Sequence, residues 1–155
     1  MIKIDLLQNH PDAIPELANI WYEVLGKMWS PEVPVERVIT KLAEHLNDRA
    51  LPITFVAFDG ERAVGMSSLR ENDGIRHKLT PWLGSLVVAP EYQKQGIGKM
   101  LVDVALLKAK ELGFEKLYLF AFDPTIPDYY SRLGWHKIGM DEFKSSPVTV
   151  MEIDV

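Results

Sequence analysis

Apolar and polar positions alternate along Ile2-Lys3-Ile4-Asp5-Leu6-Leu7 and predict a first strand, β1, over 2–7. From Pro11 the period changes. Ile14, Leu17, Ala18, Trp21, Leu25 and Met28 recur at helical spacing, with Pro11 and Asp12 in the first turn, and predict an amphipathic helix, α1, over 11–28. Trp21 and Tyr22 on it read as core residues. Ser30-Pro31-Glu32-Val33-Pro34 breaks α1, and Val35, Ile39, Leu42 and Leu46 form the stripe of a second helix, α2, ending near Asn47. Leu51-Pro52 opens β2 over 53–58. Asp59-Gly60 turns it into β3, Arg62 to about Arg70, because Asp-Gly suits a two-residue hairpin turn. Asn72-Asp73-Gly74 marks another turn.

In the second half, Leu83 to Ala89 carries the Leu-Val-Val run of a buried strand, β4. Pro90, with no N–H for a ladder, stops it. From Ile97 a helical stripe follows (Leu101, Val104, Ala105, Leu112), and Gly113 ends this helix, α3. Lys116 to Phe122 is almost unbroken apolar, which predicts a buried strand, β5, parallel to β4 after a right-handed crossover. Asp123-Pro124-Thr125 caps a short helix, α4, that Gly134 ends; 135–140 and 148–153 read as β6 and β7. Hairpin strands followed by strand–helix–strand predict an α/β (α+β) fold with a mixed sheet. No linker, repeat or low-complexity tract interrupts the 155 residues, so one domain over 1–155 is expected.

Composition narrows the chemistry. A net charge of −5 without any basic run argues against a nucleic-acid partner and leans toward cationic substrates. No apolar run nears the roughly 20 residues of a membrane span. MIKIDLLQNHPD lacks a signal peptide's apolar segment, so a cytoplasmic protein without a membrane partner is expected. There is no cysteine, hence no thiolate nucleophile and no Cys-ligated zinc. His10, His45, His77 and His136 are scattered and form no His-Glu-x-x-His pair, so no metal is expected. No Gly-x-Ser-x-Gly elbow occurs.

The stretch that carries chemistry is Gln93-Lys94-Gln95-Gly96-Ile97-Gly98, between β4 and α3. A strand, a glycine-bearing turn and a helix start make an anion site: glycines admit a ligand to the backbone, and the helix dipole adds about half a positive charge. Lys94 and Lys99 flank it. A Walker loop would need Gly-Lys-Ser/Thr, and the dinucleotide fingerprint a third glycine where Leu101 stands.

Gln93-x-x-Gly96-x-Gly98, preceded by Val88-Ala89-Pro90-Glu91-Tyr92, resembles the pyrophosphate loop of the GNAT acyltransferases. Tyr129-Tyr130-Ser131-Arg132-Leu133-Gly134-Trp135 resembles the Phe-Tyr-x-x-Leu-Gly-Phe segment that these enzymes carry after their fifth strand. The resemblance spans essentially the whole chain. It implies a mostly antiparallel sheet of about six or seven strands, a parallel β4–α3–β5 splay and about four helices. It also implies an acetyl-CoA-dependent N-acetyltransferase acting on a primary amine by direct attack in a ternary complex. The implied cofactor contacts are the backbone of Gln93, Lys94, Gln95, Gly96, Ile97, Gly98 and Lys99 for the pyrophosphate, and Leu86, Val87 and Val88 for the pantetheine arm. A main-chain N–H near Val88 would polarise the thioester carbonyl. Tyr130 matches the general acid that protonates the CoA thiolate, ahead of Tyr129 and also within contact of the cofactor. Asp123 stands where many members carry Asn, at the pantetheine or ribose.

The base is less plain. Gly84 stands where relatives often carry Glu, so proton removal is expected through water, assisted by Glu71 or Asp73 as solvated turn carboxylates, or by His77. Trp21, Tyr22, Trp29, Glu71, Asp73 and Trp82 would suit a cationic acceptor: a small amine, an aminoglycoside-like polyamine or a protein N-terminus. A CoA-binding module without catalysis and an unrelated phosphate-binding domain are the alternatives, and a homodimer is compatible with all of them.

Overall fold

A computed structural model describes residues 1–155 and arranges seven strands in one sheet of order β1-β2-β3-β4-β5-β7-β6. The strands are β1 Ile2–Leu6, β2 Ile53–Asp59, β3 Arg62–Arg70, β4 Trp82–Val88, β5 Lys116–Ala121, β6 His136–Phe143 and β7 Ser146–Asp154. Only β4 and β5 run parallel; every other neighbouring pair is antiparallel. The helices are α1 Ile14–Trp21, α2 Val35–Ala43, α3 Ile97–Glu111 and α4 Ile126–Arg132. The expected mixed sheet, parallel splay and helix order are all present.

Three local departures have physical causes. The helix expected over 11–28 is not uniform: a 3-10 turn, Pro11–Ala13, precedes α1, and a π-helical turn, Tyr22–Gly26, leads into a last α turn, Lys27–Trp29. The Trp21 ring lies where a side chain on Gly26 would go, since a Cβ there would sit 2.4 Å from it. Trp21 thus packs into the core, as its stripe position suggests. The β2–β3 loop is Gly60-Glu61 rather than Asp59-Gly60, because Asp59 stays in the ladder opposite Arg62 and Gly60 takes φ +63. The β6–β7 turn, Lys144-Ser145, has both residues at positive φ without a glycine to announce it, so β6 runs on to Phe143.

The sheet buries side chains on both faces. Phe55, Leu83, Ile97, Leu101, Leu117 and Trp135 belong to the core under α3 and α4; Leu17, Leu42, Val56, Met66 and Val87 belong to that under α1 and α2. A smaller cluster surrounds Trp82, Tyr118 and Val150. Trp82 is fully buried and its indole N–H donates to Leu79 O at 2.7 Å, so it does not line an acceptor site as expected.

One polar row is buried in the sheet. His45 Nδ1 bonds Thr54 Oγ1 at 2.8 Å, and Thr54 Oγ1 bonds Ser68 Oγ at 2.7 Å. Burial first, then the charges of Arg70 and Lys41, hold the His45 pKa down to about 4 from an ordinary 6.5. Above pH 6.5 His45 is neutral folded or unfolded and adds no pH dependence. Between 6.5 and about 4 the unfolded chain takes up a proton that the folded chain refuses, so stability falls as pH falls. Urea denaturation should show a loss of roughly 3 kcal/mol across that window, and His45→Gln should remove that part of the slope.

Candidate active site

The site grows from the place where β4 and β5 part. These strands share one paired position, Trp82 with Tyr118, so the rest of β4 has an unpaired edge toward β5. β4 is also bulged. Its partners on β3 jump from Gly84–Ser68 to Val87–Met66, leaving Ser85 and Leu86 unmatched. Ser85 sits at φ 48, a conformation that costs a non-glycine residue about 1–3 kcal/mol. Arg70 stabilises it, donating from Nη2 to Ser85 Oγ at 2.5 Å. Val87 turns into the core under α1 and α2, while Leu86 and Val88 pack toward α3.

At the mouth of the splay lies the glycine loop. Lys94 at φ 63 and Gly96 at φ 85 bend the chain into α3, whose first bond runs from Met100 N to Gly96 O at 3.2 Å. The N–H groups of Lys94, Gln95, Gly96, Ile97, Gly98 and Lys99 therefore find no acceptor within the chain. No side chain caps α3, and no acidic residue occupies its first turn. A Cβ at Gly96 or Gly98 would meet nothing within 4 Å. Bare donors beside open space fit a pyrophosphate, whose oxygens need such partners.

The loop's side chains serve mainly to hold its shape. Gln93 Nε2 donates to Val88 O at 3.0 Å, and Gln95 Nε2 to Glu91 O at 3.4 Å. Tyr92 donates to Asp59 at 2.6 Å, and Arg62 pairs with Glu91. Lys99 pairs with Asp103 at 2.8 Å, which leaves Lys94 as the flanking cation without an acidic partner. Gln93→Ala should accordingly lower acetyl-CoA affinity by less than tenfold, the effect of about one neutral hydrogen bond of roughly 1 kcal/mol, as read by isothermal titration.

Tyr130 lies in α4 with its ring in the core beneath α3, edge-on to Tyr129 at 5.5 Å and to Trp135 at 5.6 Å. Burial pushes its hydroxyl above the ordinary phenol range. Tyr129 is exposed. Asp123 Oδ1 accepts from Thr125 N at 2.9 Å and Thr125 Oγ1 at 2.7 Å, so this carboxylate closes the turn before α4.

The three base candidates separate sharply. Glu71 and His77 are exposed. Asp73 is not the solvated turn carboxylate expected: its side chain is 12% exposed, and Arg70 Nη1 donates to its Oδ1 at 2.9 Å. Burial raises its pKa, against the lowering effect of Arg70. A Cβ on Gly84 would lie 2.9 Å from Asp73 Oδ1 and 3.0 Å from Oδ2. The loop carboxylate fills the space where β4 has no side chain.

An aromatic cluster gathers at the end of β5 and in β6. Trp29 stacks on Phe122 at 4.9 Å, and Phe143 packs on Phe120 and Phe122. The Phe143 ring lies where a Cβ on Gly74, next to Asp73, would point. Lys144–Glu32 at 2.8 Å and Arg76–Asp141 at 3.1 Å tie the flanking loops together. Sequence reasoning found Trp29 but missed Arg70, Ser85, Phe120, Phe122 and Phe143. The β5 aromatics were visible as a buried run; which of them face the site depends on the splay. A cavity of about 700 Å³ lies elsewhere, beside β1 and lined by Asp5, His10 and Glu16, and it contains none of the motif residues.

A mixed seven-stranded sheet with a parted parallel pair and a bare helix start at its mouth defines a GNAT-type fold. Residues 15–135 match the Acetyltransferase (GNAT) family, and the chain belongs to that family. An uncharacterized N-acetyltransferase ycf52-like of Prochlorococcus marinus is 29% identical over 101 residues, 64% of this chain and 53% of that protein. The chain thus spans about half the length of the curated relative it matches. The crystal structure of an aminoglycoside 6'-N-acetyltransferase complexed with coenzyme A superposes with a TM-score of 0.74 at 19% identity, covering 99% of this chain and 96% of that one. The ribosomal-protein-S18-alanine N-acetyltransferase of Escherichia coli gives 0.73 at 16% identity, covering 100% and 94%. At such identities these two establish the shared fold.

Proposed function

We propose that this protein is an acetyl-CoA-dependent N-acetyltransferase that moves an acetyl group to a primary amine by direct attack in a ternary complex. The observation that carries this reading is the run of unbonded N–H groups from Lys94 to Lys99 at the start of α3, beside the unpaired edge of β4. Acetyl-CoA supplies the acyl group as an activated thioester. The backbone of Gln93 through Lys99 holds its pyrophosphate, with many charge-assisted donors and the dipole acting together. Leu86, Val87 and Val88 offer the main-chain edge along which the pantetheine arm lies as an added strand. A main-chain N–H near Val88 stabilises negative charge developing on the carbonyl oxygen.

Tyr130 gives its proton to the departing thiolate. A phenol is protonated at neutral pH, the form a general acid needs; burial raises its pKa further, which keeps the proton in place and makes the hydroxyl a weaker donor. Asp123 supports the site through the turn it closes. With no cysteine in the chain, an acyl-cysteine route is closed. On the acceptor side, the clustered rings of Trp29, Phe122 and Phe143 offer apolar surface for the substrate's carbon chain, and the Asp73 carboxylate, against Gly84 on β4, offers negative charge for its ammonium. A small cationic amine suits that surface.

Release of free thiol from acetyl-CoA with a panel of alkylamines, polyamines and N-terminal peptides tests the reading. Amine-dependent thiol release is expected. Acetyl-CoA binding without it, across the whole panel, would leave a CoA-binding module that does no catalysis.

A further inference from the structure

We propose that Asp73, reaching in from the β3–β4 loop, is the dedicated general base that takes the proton from the acceptor ammonium, in the place that Gly84 leaves empty on β4. The proposal rests on the acetyltransferase reading above and names the base that reading lacks. It replaces the expected water relay with one positioned carboxylate.

Three observations support it. The carboxylate oxygens of Asp73 lie 2.9 and 3.0 Å from where a Gly84 Cβ would be, so a longer residue at 84 and Asp73 would compete for one space. Arg70 fixes the carboxylate by one oxygen only: Nη1 donates to Oδ1 at 2.9 Å, and Oδ2 receives no hydrogen bond from the protein. The same guanidinium holds Ser85 Oγ at the β4 bulge, so base and bulge are registered to each other by one rigid group.

The electrostatics agree with the geometry. Arg70 is the charged group facing Asp73, and burial outweighs it, which makes the carboxylate more basic than an ordinary aspartate. His45, which also feels Arg70, is neutral above pH about 4 and adds no competing charge near neutrality. In the step itself, the R–NH3+ group gives one proton to Asp73 Oδ2, leaving R–NH2 and a neutral carboxylic acid. The nitrogen lone pair then forms the N–C bond as the C–S bond breaks. Tyr130 gives its proton to the departing sulfur, the second nitrogen proton, shed as the amide forms, restores the Tyr130 hydroxyl, and Asp73 returns the first proton to solvent, so that amide, free thiol and one proton leave.

The test compares wild type with Asp73→Asn and with the relocated carboxylate Asp73→Ala/Gly84→Glu, using phenethylamine and ethylenediamine as alkylamine acceptors and hydroxylamine as an acceptor that is already a free base at neutral pH. Asp73→Asn should lower kcat on the alkylamines by about 10²- to 10⁴-fold, with KM little changed, and should spare hydroxylamine. The double variant should recover at least tenfold over Asp73→Ala. Two readouts do not depend on turnover. Acetyl-CoA affinity of Asp73→Asn, by isothermal titration, should stay within about twofold of wild type. Carboxyl NMR should show one aspartate titrating above the ordinary range near 3.9, missing from Asp73→Asn. Equal kcat for wild type and Asp73→Asn on the alkylamines, or equal losses on hydroxylamine, would overturn the proposal while leaving the acetyltransferase reading intact. Absence of thiol release from wild type with every acceptor would overturn that reading, and the proposal with it.

Discussion

Tyr130→Phe is expected to leave acetyl-CoA affinity unchanged and to lower kcat by about 10- to 10³-fold. The substitution removes one oxygen from a ring that keeps its edge-on contacts with Tyr129 and Trp135, so the core under α3 is preserved. The hydroxyl sits in a largely dry place, and burial holds it in its protonated form. A group so placed is a proton donor at neutral pH, and without it the thiolate must leave unprotonated or take a proton from water. The effect should shrink when the leaving thiol is made more acidic, because such a thiolate needs less help. Stopped-flow measurement of the chemical step is the proper readout, since slow product release would mask the change. Equal single-turnover rates for Tyr130→Phe and wild type would return Tyr130 to a packing role. Tyr129→Phe, at an exposed ring, should change little in the same experiment.

Gly96→Asp should weaken acetyl-CoA binding by well over tenfold, approaching a hundredfold, which is about 1.4 to 2.7 kcal/mol. Two effects add. Gly96 is at φ 85, where a side chain strains the loop, although Asp tolerates this region better than most residues. The larger effect is electrostatic: a carboxylate would stand among the bare N–H groups from Lys94 to Lys99 and satisfy them itself, while repelling a pyrophosphate. There is open space for it, since a Cβ at Gly96 touches nothing within 4 Å, so the fold should survive. Thermal unfolding without ligand should therefore be nearly unchanged or slightly raised by the new cap, whereas the stabilisation that acetyl-CoA confers should drop. Gly96→Ala separates the two contributions by introducing the strain without the charge. Wild-type affinity in a folded Gly96→Asp would mean that the pyrophosphate binds elsewhere.

Much of this molecule could be read from local chemistry. Alternation in 2–6, the 3.6-residue stripe of α3, Pro90 as a strand stop and Gly113 as a helix stop each act within a few residues of themselves, so the order of elements and the loop that offers its N–H groups were legible. Gln93, Gly96 and Gly98 were legible for the same reason, as a turn and a helix start, whereas Tyr130 stood out only through the resemblance of its segment to that of the GNAT enzymes. What depended on the tertiary structure was every relation between distant segments. Periodicity cannot show that Trp21 needs the space over Gly26, which accompanies a π turn in the helix after α1. Nor can it show that Trp82 is sealed in the core while Phe120 and Phe122 gather with Trp29. Asp73 is the clearest case. As part of Asn72-Asp73-Gly74 it reads as a turn residue open to water, because that sequence is what exposed turns use. Only when β3 and β4 pair does Arg70 come beside the bulge at Ser85, and only then does the missing side chain of Gly84 leave room for a carboxylate from another segment. Burial and charge are properties of that assembled space, and a linear sequence states them for neither residue.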